Sequence, residues 1–185
     1  MSLIPVDQYP CQVWADSNSN LIASAIKART KANYSHVMWM VRPGVLVTQG
    51  FTGYREIQIG DYMKPSNRLK FIGLNGITNE GRKAIYESIY KKLDGPWYRK
   101  GYDFLGIIGQ LTGIKWIQNP WKDFCSEDVP FHLKRALKNA PSEFSPELAD
   151  AINGIAPEQS PGSYDAYSKL HRDVFPLIAK WEADD

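Results

Sequence analysis

Residues 35–51 have the sequence Ser-His-Val-Met-Trp-Met-Val-Arg-Pro-Gly-Val-Leu-Val-Thr-Gln-Gly-Phe and give the framework of the fold. Both of its ends are rich in β-branched and aromatic residues, which favour strands. Pro43-Gly44 lies between the two runs and is a turn signal, because proline presets φ and glycine tolerates a positive φ. The stretch therefore predicts a hairpin with strands at 35–42 and 45–51.

The rest of the chain predicts further strands and several helices around this hairpin. Residues 9–15 read as a strand, and strands near 54–60 and 68–74 are expected to extend the sheet. Helices are expected near 20–31, 79–93, 103–111 and 146–153, from Cys125 to about 139, and over 163–181 as a final amphipathic helix.

Composition restricts the class of protein. The chain has 185 residues, enough for one domain with a sizeable core, and its net charge is only +2, from 22 basic against 20 acidic residues. No nucleic-acid partner is therefore expected. With two cysteines and three histidines we expect neither a metal site nor a cofactor. No signal peptide or apolar transmembrane run is visible, so a cytoplasmic location is the default, and a phage-encoded or released protein would look the same.

Cys125 is the candidate nucleophile, because it stands where a loop is expected to become a helix. Ser126 is a suitable N-cap, and the positive end of the helix dipole favours a thiolate. Residues Val129, Leu133 and Ala136 recur at helical spacing from Cys125, which predicts an inward-facing thiol. The alternative is a buried structural cysteine, since free cysteines are among the most buried residues.

His36 is the candidate general base for that thiol. A cysteine hydrolase needs an imidazole that takes the thiol proton and returns it to the leaving group. His36 opens a predicted strand, and a histidine that only caps the strand is the alternative. His132 lies two helical turns beyond Cys125, about 10 Å along the axis, which is too far for a base. His171 is expected at the surface.

A third polar group should orient the imidazole from the neighbouring strand. With the turn centred near Pro43-Gly44, the residues facing His36 fall around 49–51. Gln49 is the polar candidate, because its amide oxygen can accept from the ring N–H. Thr48 is expected to point to the opposite face, and Glu56 is a more distant candidate. A half-exposed strand glutamine without a role is the alternative for Gln49.

Taken in order, these motifs resemble a known family. Ser35-His36-Val37, the hairpin, the helix opened by Thr78-Asn79-Glu80, Tyr102-Asp103-Phe104-Leu105-Gly106 and Phe124-Cys125-Ser126-Glu127 resemble the permuted, YiiX-like branch of the NlpC-like, papain-related thiol hydrolases. In ordinary NlpC-like enzymes the cysteine motif precedes the histidine. Here His36 comes first, as circular permutation would give.

The resemblance implies a papain-like α+β fold, an antiparallel sheet packed against helices with the nucleophile at a helix N-terminus. It implies a catalytic domain over residues 1–140, and residues 141–185 would form a C-terminal extension whose final helix packs on that domain. Cys125 would be the nucleophile and His36 the base. Tyr102 would contribute near the oxyanion, with core packing as its alternative. The third polar position is often Glu in this branch and falls on or next to Gln49.

The expected function is a cysteine hydrolase that cleaves an amide or ester through an acyl-enzyme. Its partner would be a peptide, including cell-wall peptides, or an acyl-containing small substrate such as an acyl-lipid, since relatives include lecithin:retinol-type acyltransferases. A non-catalytic binding module that retains the fold is the alternative, which Gln49 at the third position would permit.

Overall fold

The computed structural model describes residues 4–17, 34–50, 53–96, 125–156 and 161–183. Its fold is α+β, with an antiparallel sheet and helices. The strands are β1 (Cys11–Ser17), β2 (His36–Arg42), β3 (Val45–Gly50), β4 (Gly53–Gln58), β5 (Asn67–Ile72) and β6 (Leu177–Glu182). The helices are α1 (Asn79–Leu93), α2 (Cys125–Asn139), α3 (Pro146–Gly154) and α4 (Pro161–Leu170).

The six strands form one sheet in the order β4-β3-β2-β1-β5-β6, with every neighbouring pair antiparallel. The predicted hairpin is confirmed as β2 and β3, and Gly44 has a φ of 77°, as the turn requires. The strands predicted near 9–15, 54–60 and 68–74 are confirmed as β1, β4 and β5. The long return from β4 to β5 places β5 beside β1, on the other side of the hairpin.

One face of the sheet is covered by helices. Alternate residues of β2 point to this face, including Val37, Trp39 and Val41, and they belong to one buried cluster with residues of α1, α2 and α3. Val129, Leu133 and Ala136 of α2 are all fully buried in that cluster, so the predicted inward stripe of this helix is confirmed for these three residues. We call this the helix-covered face.

The other face of the sheet carries a second, smaller core. Met38 and Met40 of β2 and Leu46 of β3 point to it and are buried. Ile4 and Tyr9 from the N-terminal segment cover part of this face, together with partly buried residues that follow β4. We call this the loop-covered face, because the described segments that cover it include the N-terminal segment and the turn that follows β4.

The prediction of a helix over 163–181 is wrong. α4 ends at Leu170, and residues 177–182 form β6, which pairs with β5 at the edge of the sheet. Pro176 has no amide N–H and restricts the residue before it, so a helix cannot continue through it without loss. The apolar spacing of Leu170, Val174 and Leu177 resembled a helix, but Leu170 is 82% exposed.

The other predicted helices divide into two groups. Those at 79–93, from Cys125 to 139 and at 146–153 are confirmed as α1, α2 and α3. Those near 20–31 and 103–111 fall outside the described residues. In the part of the chain that the structure describes, no helix is both long and apolar enough to span a bilayer.

Candidate functional site

His36, the first residue of β2, is held by two side chains on the loop-covered face. Its Nε2 lies 2.5 Å from Oγ1 of Thr48 on β3, and its ring stacks on that of Tyr62, with 5.8 Å between centroids and 4° between planes. Thr48 is only 3% exposed, so its hydroxyl is shielded from water. The histidine is therefore oriented by Thr48, and the expectation that Thr48 points away from it is wrong.

The reason is a shift in the strand pairing of β2 and β3. Arg42 pairs with Val45, but a bulge between Met40 and Arg42 makes Met40 pair with Leu46 and Trp39 with Val47. Continued along the strands, this register places His36 opposite residue 50, whereas the unbulged hairpin would place it opposite residue 51. A shift by one residue exchanges the two faces of a strand, so Thr48 rather than Gln49 shares the face of His36.

Gln49 lies on the helix-covered face and does not hydrogen-bond to His36. It is 1% exposed and pairs with Tyr54 of β4 in the strand register. The Tyr54 hydroxyl reaches His132 of α2, with 3.0 Å between Oη and Nε2. The structure therefore brings Gln49 to the face on which α2 packs, and it separates Gln49 from the imidazole that it was expected to orient.

Desolvation favours the neutral form of the His36 imidazole, although the residue is only partly buried. Desolvation lowers the pKa of His36 to about 4, and the carboxylate of Asp128, in the first turn of α2, partly opposes this shift. The ring is therefore within electrostatic range of α2, although that helix packs on the other face. Among the described residues, none makes a hydrogen bond to Nδ1 of His36.

α2 begins at Cys125, so the candidate nucleophile stands at the start of a helix that packs on β2. Ser126, the predicted N-cap, is included in the helix. The side chains of Cys125 and Ser126 lie outside the described residues, as does Tyr102 altogether.

A buried polar network lies beneath α2, and sequence reasoning missed it. His132 is fully buried, with Nδ1 2.7 Å from Ser88 Oγ and Nε2 3.3 Å from Asp128 Oδ1. Lys92 of α1 donates to the same Asp128 oxygen at 2.7 Å. Burial alone would raise the pKa of Asp128, but Lys92 and His132 hold it well below its usual range. A spacing of four residues between Asp128 and His132 was the signal in the sequence.

No protein-family model and no curated protein matches this sequence.

Proposed function

We propose that the protein is a cysteine hydrolase in which Cys125 is the nucleophile and His36 the general base. The observation that carries this proposal is the hydrogen bonding of the two ring nitrogens of His36. Its Nε2 is engaged by Thr48 Oγ1 at 2.5 Å, and no described residue hydrogen-bonds to Nδ1. In the proposed tautomer the proton lies on Nε2 and is donated to Thr48 Oγ1, which leaves the lone pair of Nδ1 to take a proton from a thiol.

In this reaction Nδ1 of His36 removes the proton of the Cys125 thiol, and the thiolate adds to the carbonyl carbon of the substrate. The imidazolium then protonates the leaving amine or alcohol as the bond to it breaks. His36 deprotonates a water molecule that hydrolyses the acyl-enzyme, which releases a carboxylic acid and restores the thiol. Thr48 accepts a hydrogen bond from Nε2–H throughout and stabilises the imidazolium in each half of the cycle.

The proposed pairing is supported by where the two residues occur in their elements. His36 is the first residue of β2, and Cys125 is the first residue of α2, which packs on that strand. Desolvation lowers the pKa of His36, and the charge of Asp128, one turn after Cys125, partly opposes this shift, so the first turn of α2 lies within electrostatic range of the imidazole. Because α2 covers the face opposite the imidazole, the thiol would approach His36 around the end of β2.

The proposal extends to the fold family. An α+β architecture, with a hairpin that carries the histidine followed by a helix that begins at the cysteine, agrees with a circularly permuted, NlpC-like variant of the papain fold. In that variant the histidine precedes the cysteine along the chain. We propose an amide of a peptide, including cell-wall peptides, as the substrate. An ester of an acyl-lipid is the competing substrate for the same chemistry.

Labelling with an acyl probe that carries a thiol-reactive carbonyl tests the proposal. We expect an adduct at Cys125 in the wild type, and loss of labelling in Cys125→Ser and His36→Ala. Cys11 is an internal control, because it is fully buried and burial raises its pKa to about 12. Slow labelling of both cysteines at equal rates, unchanged in His36→Ala, would contradict the proposal. So would a sulfur-to-Nδ1 distance well beyond about 5 Å in a substrate complex.

A non-catalytic binding module with the same fold is the second candidate. The observation that favours it is that the imidazole lies on the loop-covered face, whereas α2 packs on the helix-covered face. Peptide and lipid panels separate the two candidates. A hydrolase releases a carboxylic acid from its substrate in a reaction that requires Cys125. A binding module retains its ligand intact, and Cys125→Ser leaves its affinity unchanged.

A further inference from the structure

Lys92 of α1 and Asp128 of α2 form a buried ion pair at the first turn of α2. Lys92 Nζ and Asp128 Oδ1 are 2.7 Å apart, and the side chains are 9% and 2% exposed. The ammonium also lies 4.6 Å from the centre of the Tyr54 ring, a favourable position for a cation. Charges this deeply buried persist only when they are paired, so the pair ties α1 to the start of α2.

This pair lies one helical turn from Cys125. Residues three and four apart on a helix are neighbours, and Asp128 and Val129 follow Cys125 by three and four positions. A carboxylate without a compensating cation, one helical turn from a cysteine, raises the pKa of the thiol, because the negative charge disfavours the thiolate. The other titratable groups near Asp128 are Glu127 and His132 on α2, Tyr54 on β4 and His36 on β2.

We propose that Lys92 is a positioning residue of this hydrolase, whose ammonium cancels the Asp128 charge beside Cys125 so that the thiolate can form at neutral pH. The inference rests on the proposed function, since it concerns the nucleophile of that reaction. Lys92 acts through Asp128 and touches neither the substrate nor the reacting atoms. The sequence supplies a carboxylate next to the nucleophile, and the neighbouring helix supplies the charge that neutralises it.

The test is the pH dependence of iodoacetamide alkylation at Cys125, followed by peptide mass spectrometry. In Asp128→Asn the ammonium remains without its carboxylate, so we expect a lower thiol pKa and alkylation about ten-fold faster at pH 7. In Lys92→Met/Asp128→Asn both charges are absent, and the rate should return close to that of the wild type. In Lys92→Met the carboxylate is unbalanced, and we expect alkylation about ten-fold slower.

Lys91→Met is the matched control, since Lys91 is the preceding residue of α1 and is exposed. It removes the same charge without breaking the ion pair and should alkylate at the wild-type rate. If Lys92→Met does not fold, the comparison of Asp128→Asn with the double variant still decides the matter. Equal rates in those two variants would overturn the proposal, because a purely structural pair gives no ordered change in thiol pKa.

The same experiment separates this inference from the proposed function. Alkylation needs a thiol at Cys125 but neither substrate turnover nor His36. If His36→Ala leaves the thiol pKa and acyl labelling of Cys125 unchanged, the hydrolase proposal fails, while the ordered effect of Asp128→Asn and the double variant persists. If Asp128→Asn and the double variant are alkylated at the same rate, but acyl labelling of Cys125 requires His36, the hydrolase proposal stands and the proposed role of Lys92 fails.

Discussion

Replacing Thr48 by valine removes the hydroxyl that meets Nε2 of His36 and keeps the β-branched shape of a side chain that is 3% exposed. We expect Thr48→Val to slow acylation of Cys125 while it lowers the free energy of unfolding only modestly. The reason is that the hydrogen bond changes character during the proposed reaction, when His36 becomes an imidazolium.

The size of the effect follows from the charge on the donor. In the resting state the bond joins two neutral groups, and its loss should lower the free energy of unfolding by about 1 kcal/mol. When the imidazole is charged, the same bond contributes roughly 1.5–3 kcal/mol. The difference of about 0.5–2 kcal/mol between the two states corresponds to about a 2- to 30-fold slower reaction. Thr48→Ser keeps the hydroxyl and should retain most of the rate.

The assay is the rate of acyl-probe labelling at Cys125, measured from pH 5 to 9, with urea unfolding of each variant alongside it. Gln49→Met is the decisive comparison, because Gln49 is equally buried on the adjacent position of β3 but faces α2. We expect Gln49→Met to be acylated at a rate close to that of the wild type, in contrast to Thr48→Val. A wild-type rate in Thr48→Val, together with a large loss in Gln49→Met, would refute the reasoning from the strand register.

Three further predictions concern the stability of the fold, and equilibrium urea unfolding checks each of them. Asp165→Asn leaves Lys70 without the carboxylate of its buried ion pair and should cost about 3–5 kcal/mol, whereas Lys70→Met/Asp165→Asn, which removes both charges, should cost less. Gly76→Ala should cost about 1–3 kcal/mol, because φ is 76° and a Cβ would clash with Ser145 Oγ; Gly60→Ala, in open space, should be nearly neutral. A pH prediction follows from His36, whose pKa of about 4 lies below its ordinary value of 6.5, so the unfolded chain binds a proton first as pH falls. Stability from this group is full above about pH 6.5 and is lost towards pH 4, by up to about 3 kcal/mol, and His36→Gln should flatten that part of the profile.

The local elements of this fold could be predicted because their signals are local. Pro43-Gly44 marks the hairpin turn, and Thr78 before Asn79 is a helix cap whose hydroxyl accepts from the Gly81 amide at 3.2 Å. The apolar stripe of α2 was visible from its spacing alone. Each of these features depends on residues only a few positions apart, so no knowledge of the rest of the chain was needed.

The structure of the C-terminal segment could not be predicted from such local signals. Residues 177–182 carry apolar side chains that suit a helix as well as a strand, and β5 offered an unpaired edge that the sequence does not reveal. A strand at that edge gains a ladder of backbone hydrogen bonds, which a solvent-exposed helix after Pro176 cannot match. Tertiary context decided between two locally acceptable structures.

The candidate site was likewise predicted in part from the sequence and decided in part by the tertiary structure. Sequence alone singled out His36 at the start of a strand, placed Cys125 at the start of a helix and indicated the cysteine-hydrolase chemistry now proposed. Only the tertiary structure decided which residue orients the imidazole, because a bulge between Met40 and Arg42 moves the register by one residue and brings Thr48 to its face. Likewise, only folding joins Lys92 to Asp128, 36 positions apart, since charge pairing between helices depends on distance in space rather than along the chain.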